Sequence, residues 1–250
     1  MVILNKEKVL GIDVSITNYE KLKQAIVDDI NNKKKSFIVA INPEKILKSR
    51  KDKSLKDLLN IATYQIPDGV GVIYASKLKH GSIKSRITGI DSMEMLCDLS
   101  NKHGYKIFMY GAKEEVINKA KDNLIKKYPN IKIVGTMNGY EKDNDKIIKA
   151  INKSKAEIIF VAMGSPKQEF WITENMNKVC PYIFQGVGGS FDVFSGNIKR
   201  APKWMRKIGL EWLYRLLKEP KRIFRQIKLF KFLFIVLFSK KEVNKNGSKN

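Results

Sequence analysis

The sequence predicts a doubly wound α/β fold built on a mostly parallel, six-stranded, Rossmann-like sheet. Short runs rich in β-branched and aromatic residues alternate with longer segments whose apolar residues recur every 3.6 positions. The segments between the runs are long enough for helical crossovers, and few of them are as short as a hairpin turn, so parallel pairing with both sheet faces covered is expected. With 250 residues, 43% of them hydrophobic and 10% aromatic, the chain can bury one substantial core.

The strand runs are 36–42 (SFIVAIN), 64–67 (YQIP), 106–111 (KIFMYG), 131–136 (IKIVGT), 157–164 (EIIFVAMG) and 182–189 (YIFQGVGG). Between the third and fourth, Val116, Ile117, Ala120, Leu124 and Ile125 form an apolar stripe with lysines opposite, the mark of an amphipathic helix. Ahead of the sheet, VLGIDVS reads as a small hairpin, followed by a helix that Asn18 caps and that runs to Asn31. Three regions result: an α/β core over 1–198, a basic helical appendage over 199–238, and a disordered tail over 239–250.

Charge separates these regions. Residues 199–250 hold 16 Lys or Arg against 3 Glu, a net of +13 out of +23 for the whole chain. Such a segment calls for a polyanion, nucleic acid or anionic lipid. The run Phe232 to Phe238 is apolar at every position, which favours a membrane over nucleic acid. It is far short of the roughly 20 residues a bilayer span needs, so it should lie in the interface. A core helix followed by a solvated tail is the structural alternative. The N-terminus lacks the pattern of a secretory signal, and Cys97 and Cys180 match no metal or redox spacing, so a reduced, cytoplasmic setting without a disulfide is expected.

In an open α/β sheet, ligands bind beyond the carboxyl ends of the strands. Asn42, Asp68, Gly111, the Gly135 to Tyr140 stretch, GSPKQE at 164–169 and GVGGSFD at 186–192 occupy those exits. Glycines there let backbone N–H groups approach an anionic ligand. Neither a dinucleotide fingerprint nor a P-loop is present. Asp68, between a strand and a small helix, suits a general base; a turn or N-cap aspartate is the plainer reading. Gln168 opens a helix where its amide can meet a substrate. Asp143 and Asp145 have the D-x-D form of a metal-nucleotide site but read better as first-turn acids, and His80 and His103 are isolated, so no metal is expected.

The strings INPE, IPDGVGV, RITGID, GSPKQEFW, GVGGSFDVFSG and RAPKWMRKIGLEWLYRLLKEPKRIFRQ closely resemble the WecG/TagA/CpsF glycosyltransferases, family 26, over roughly residues 5 to 230. The resemblance implies inverting transfer of a sugar, N-acetylmannosamine in the best-known members, from a UDP-sugar to undecaprenyl-diphosphate-linked N-acetylglucosamine. It also implies no cofactor, no D-x-D metal, a peripheral place on the inner face of the bacterial membrane, and a role in teichoic acid or polysaccharide synthesis. By position it makes Asp68 the base, Gln168 and Arg86 its catalytic companions, and Asn42 and Ala40 the acceptor side. Gly111, Gly139, Tyr140, Gly188 and Asp192 fall on the UDP-sugar side, and Arg215, Arg222 and Arg225 meet the diphosphate. The family commonly has threonine where Ala40 stands, and more often glycine and phenylalanine where Ala112 and Glu141 stand. A hexosyltransferase of the same family and a basic nucleic-acid-binding protein remain as alternatives. The expected partners are the UDP-sugar, the lipid-diphosphate acceptor, an anionic membrane surface and further copies of the chain, with no nucleic acid.

Overall fold

The computed structural model describes residues 3–202, 204–205, 211–218 and 223–239. An antiparallel hairpin, β1 (Lys6–Val9) and β2 (Ile12–Ser15), precedes α1 (Tyr19–Asn31). The Asn18 side chain accepts from the Lys21 N–H, capping α1 as its identity predicts. The sheet comprises β3 (Ser36–Ile41), β4 (Tyr64–Pro67), β5 (Lys106–Gly111), β6 (Lys132–Met137), β7 (Ile158–Ala162) and β8 (Ile183–Gly186). All six expected runs form strands, every pairing is parallel, and the spatial order is β4-β3-β8-β7-β5-β6.

The remaining elements cover the sheet: α2 (Pro43–Ser49), α3 (Lys53–Ile61), α4 (Val70–Leu78), α5 (Gly89–His103), α6 (Glu114–Lys127), α7 (Asn144–Ser154), α8 (Lys167–Asn175) and α9 (Ser190–Phe194). Alternate residues of each central strand feed two separate cores. Phe37, Val39, Phe108, Tyr110, Ile159 and Val161 join one, while Ile38, Ile107, Met109, Ile158 and Phe160 join the other. Burial on both faces explains why these strands are continuously apolar. β7 leads to β8 on one side and β5 leads to β6 on the other, so the chain parts between β5 and β7. A crevice opens where neighbouring connections diverge in this way.

Two helices follow, Glu211–Lys218 and the C-terminal helix Ile223–Phe238, which packs on α2 and α4. It has two apolar faces with different fates. Phe232 and Val236 are completely buried in the core, with Leu229 and Leu233 packed beside them. Ile227, Phe230, Phe234, Leu237 and Phe238 are exposed, Phe230 and Phe238 at 72% each. The sequence expectation that the whole run rests on a membrane therefore needs correction for Phe232 and Val236, because a helix presents residues four apart to a single neighbour. Lys79 Nζ donates to the carbonyls of Leu237 and Ser239, placing a cation at the negative end of the helix. Lys228 pairs with Glu44 at 2.9 Å. Cys97 and Cys180 are free thiols, and among the described residues no helix is long and apolar enough to cross a membrane.

Candidate active site

Because all six strands are parallel, every strand exit lies at one end of the sheet. On the β3 and β4 side, the Asp68 N–H donates to the Ile41 carbonyl at 2.8 Å, and the Ile87 N–H donates to the Pro67 carbonyl at 2.9 Å. These two bonds gather Asn42, Asp68 and Arg86, which the sequence had spread over 45 positions. Asn42 caps α2, its Oδ1 accepting from the Lys45 N–H at 2.9 Å. Asp68 does not cap α4: the cap is Gly69, at φ +94° and without a side-chain bond. The plainer reading of Asp68 as an N-cap is thereby removed. Ala40, half-buried, packs against Gly89 at the start of α5, where an added Cβ would lie 3.4 Å away.

Beside this group stands a polar cluster that sequence reasoning missed. The Thr88 N–H donates to the Tyr19 hydroxyl at 3.3 Å, Tyr19 donates to Asp91 at 3.4 Å, and Arg200 pairs with Asp91 at 2.6 Å and Glu94 at 3.5 Å. Burial, then the Asp91 carboxylate, push the Tyr19 hydroxyl well above the ordinary tyrosine range, Asp68 adding to the effect. Tyr19 thus stays protonated and can act only as a neutral hydrogen-bonding group. The TGID string gains a local cause: Thr88 caps α5 by accepting from the Asp91 N–H, and its own hydroxyl donates to the Asp91 carboxylate. No string announced Tyr19, and the string RAPKWMRK, which Arg200 opens, gave no sign of its partners, since each residue acts across more than 60 positions.

On the other side, Gln168 is buried at the start of α8, and its Oε1 accepts from the Gly188 N–H at 2.9 Å. Gln168 therefore overlies the β8 exit. In the strand order β4-β3-β8 that exit is two strands from the β4 exit where Asp68 lies. Farther along, the Ala112 N–H donates to the Ala162 carbonyl and the Gly139 N–H to the Ala112 carbonyl, so the exits of β5, β6 and β7 form one glycine-lined wall. Tyr140 is 68% exposed on its rim. Asp192 lies in α9, its carboxylate near Gly189. Of the three arginines, Arg222 lies outside the described residues, and Arg215 and Arg225 are described by backbone alone, in the last two helices. Asp143 caps α7, accepting from the N–H groups of Asp145 and Lys146, which is the first-turn role expected of it. No group of three or more His, Cys, Asp or Glu side chains assembles among the described residues.

An anion-friendly wall facing an aspartate across one end of a parallel sheet suits transfer chemistry. Comparison with known proteins decides the family, since the model of the Glycosyl transferase WecG/TagA/CpsF family matches residues 7–246. The chain belongs to that family. The N-acetylglucosaminyldiphosphoundecaprenol N-acetyl-beta-D-mannosaminyltransferase of Bacillus subtilis strain 168 is 40% identical over 216 residues, 86% of this chain and 84% of its own length. The enzyme of the same name from Bacillus spizizenii strain W23 is 36% identical over 226 residues, 90% of this chain and 87% of its own.

In this WecG/TagA/CpsF glycosyltransferase, two neighbouring wall residues both sit at positive φ, one as glycine and one as alanine. Gly111 sits at φ +114°, and a Cβ there would stand 2.3 Å from the Ala162 carbonyl oxygen. Gly111→Ala should cost at least about 1–3 kcal/mol from the backbone alone, seen as a lower denaturation midpoint. Ala112 occupies the left-handed region at φ +57°, where glycine is the better fit. Ala112→Gly should raise stability by about 1 kcal/mol, and an unchanged or lowered midpoint would contradict that account.

Proposed function

We propose that this glycosyltransferase moves N-acetylmannosamine from its UDP-sugar to undecaprenyl-diphosphate-linked N-acetylglucosamine, with inversion and without a metal, in teichoic acid or related surface-polymer synthesis. The observation that carries the reading is the gathering of Asn42, Asp68 and Arg86 at the β3 and β4 exits, opposite the glycine-lined wall of β5, β6 and β7 and the β8 exit beside it. The relatives' names supply the substrates.

In this reading UDP lies along the wall, where Gly111, Gly139, Tyr140, Gly188 and Asp192 surround it and N–H groups face its phosphates. The acceptor enters on the side of Asn42 and Ala40. Asp68 takes the proton of the acceptor hydroxyl as that oxygen bonds to the anomeric carbon. The bond from that carbon to the phosphate oxygen breaks, and UDP leaves with the electron pair. Attack from the face opposite the leaving group inverts the configuration. Gln168 orients the reacting sugars, while Arg86 together with Arg215, Arg222 and Arg225 offsets the diphosphate charge in place of a metal.

The chain also works at the inner face of the membrane, as a peripheral protein. What supports this is the exposed aromatic face of the C-terminal helix beside Arg50 and Lys56, which line a cleft with Phe234 and Phe238. Cations flanking an exposed apolar helix face favour an anionic interface.

Two assays test the proposal. With a short-chain lipid-diphosphate N-acetylglucosamine acceptor, UDP-N-acetylmannosamine should outrun UDP-N-acetylglucosamine, UDP-glucose and UDP-galactose; preference for a hexose would replace the donor assignment. Transfer should also continue in excess EDTA, because Asp143 is engaged in capping α7. Loss of turnover on chelation, restored by Mg²⁺ or Mn²⁺, would overturn the metal-free reading.

A further inference from the structure

We propose that Lys45 and Glu169 are a buried positioning pair for the transfer step, fixing the Gln168 amide in one orientation and tying it to the Asn42 turn. The inference rests on the reading above that Gln168 meets the reacting sugars. Lys45 Nζ lies 2.8 Å from Glu169 Oε1, and both side chains are at least nine-tenths buried. The same carboxylate oxygen accepts from Gln168 Nε2 at 3.1 Å, while Gln168 Oε1 accepts from the Gly188 N–H.

The amide is thereby specified at both ends. Turning it over would set Nε2 against the Gly188 N–H and Oε1 against a carboxylate, two contacts of like polarity. Its position is fixed as closely as its orientation, since a Cβ on Gly186 would stand 2.6 Å from Nε2. One N–H and one lone pair of the amide are left, the donor on the Glu169 side and the acceptor on the Gly188 side. Lys45 also belongs to the turn that Asn42 caps. The pair thus runs from the β3 exit to the start of α8, linking the proposed acceptor side to the glutamine at the transfer point.

Stability does not account for the pair. A buried ion pair is often no better than two well-packed apolar side chains, and it gains most when every polar atom is satisfied. Glu169 Oε2 is buried with no hydrogen-bond partner among the described residues. A carboxylate retained there in spite of that needs another reason, and the group it holds is Gln168.

The test compares kcat, donor KM and melting temperature for wild type, Gln168→Ala, the double variant Lys45→Met/Glu169→Met, and the triple combination. The double variant should fold with a melting temperature near that of wild type, lose about 10- to 100-fold in kcat, and keep its donor KM. Adding Gln168→Ala should then cost little more, because the pair acts through that amide. Wild-type kcat in the double variant, with activity lost in Gln168→Ala, would overturn the pair's role and leave the reading of Gln168 standing. Wild-type kcat in Gln168→Ala would remove that reading first and the pair's role with it. Lys45→Met/Glu169→Leu is the second variant; it likewise removes the acceptor of the Gln168 Nε2 bond and is read the same way. Failure of both pair variants to fold would show that the pair holds the fold together, and would overturn the proposal.

Discussion

Asp68→Asn is expected to lower kcat by about 10²- to 10⁴-fold, the usual cost of removing a general base. UDP affinity and melting temperature should stay close to wild type. The asparagine keeps the shape of the side chain while removing its charge and its basicity. Asp68 is not the N-cap of α4, which is Gly69, and the backbone bond to the Ile41 carbonyl is indifferent to the side chain. UDP affinity reports the wall of β5, β6 and β7 with the neighbouring β8 exit, two or more strands from β4. Activity above about a tenth of wild type would reassign Asp68 to a structural role. A matching fall in UDP affinity would instead put the carboxylate on the donor side.

The second large effect separates the two faces of the C-terminal helix. Phe232→Ala should destabilise the protein by about 3–5 kcal/mol, because a fully buried ring leaves both its transfer free energy and a cavity between α2 and α4. Phe234→Ser, two residues on, should change the denaturation midpoint by no more than about 0.5 kcal/mol, since its ring is 64% exposed. Phe234→Ser combined with Phe230→Ser should instead weaken binding to anionic liposomes, and the remaining binding should fall as salt rises. Liposome binding equal to wild type would remove the membrane role of this face. Cutting the chain before Lys228 cannot make the distinction, because the cut removes Leu229, Phe232, Leu233 and Val236 from the core together with the exposed face.

The strands and the α1 cap were legible in the sequence because their causes are local: β-branched runs, a 3.6-residue period, and an asparagine three residues ahead of the N–H it accepts from. The division of the C-terminal run was not. A stretch apolar at every position carries no period, and only the packing of α2 and α4 decides which side is inside. A trace of it was nonetheless present. Gly71 of IPDGVGV is glycine because a Cβ there would stand 2.5 Å from Leu229 and 2.6 Å from Pro43, so the helix had left its mark on a distant motif. At the site, Asn42, Asp68, Gly111 and Gln168 could be found from strand exits alone. Lys45 and Tyr19 could not, and Glu169 and Arg200 lay within quoted strings that gave no sign of their partners, because a buried partner is set by the three-dimensional neighbour and not by spacing along the chain. Lys45 in particular read as one more lysine among many until Glu169 was seen against it.

The division of the site into a donor wall and an acceptor side is the central claim, and hydrogen exchange with each substrate in turn tests it most directly. UDP alone should slow exchange at 111–112, 139–140, 164–168 and 186–192, and leave 42–45 and 68–72 as they are in the free protein. Adding a soluble lipid-diphosphate N-acetylglucosamine analogue should then protect 42–45 and 68–72. Protection of 68–72 by UDP alone, with the 111–112 and 186–192 segments unchanged, would contradict the account.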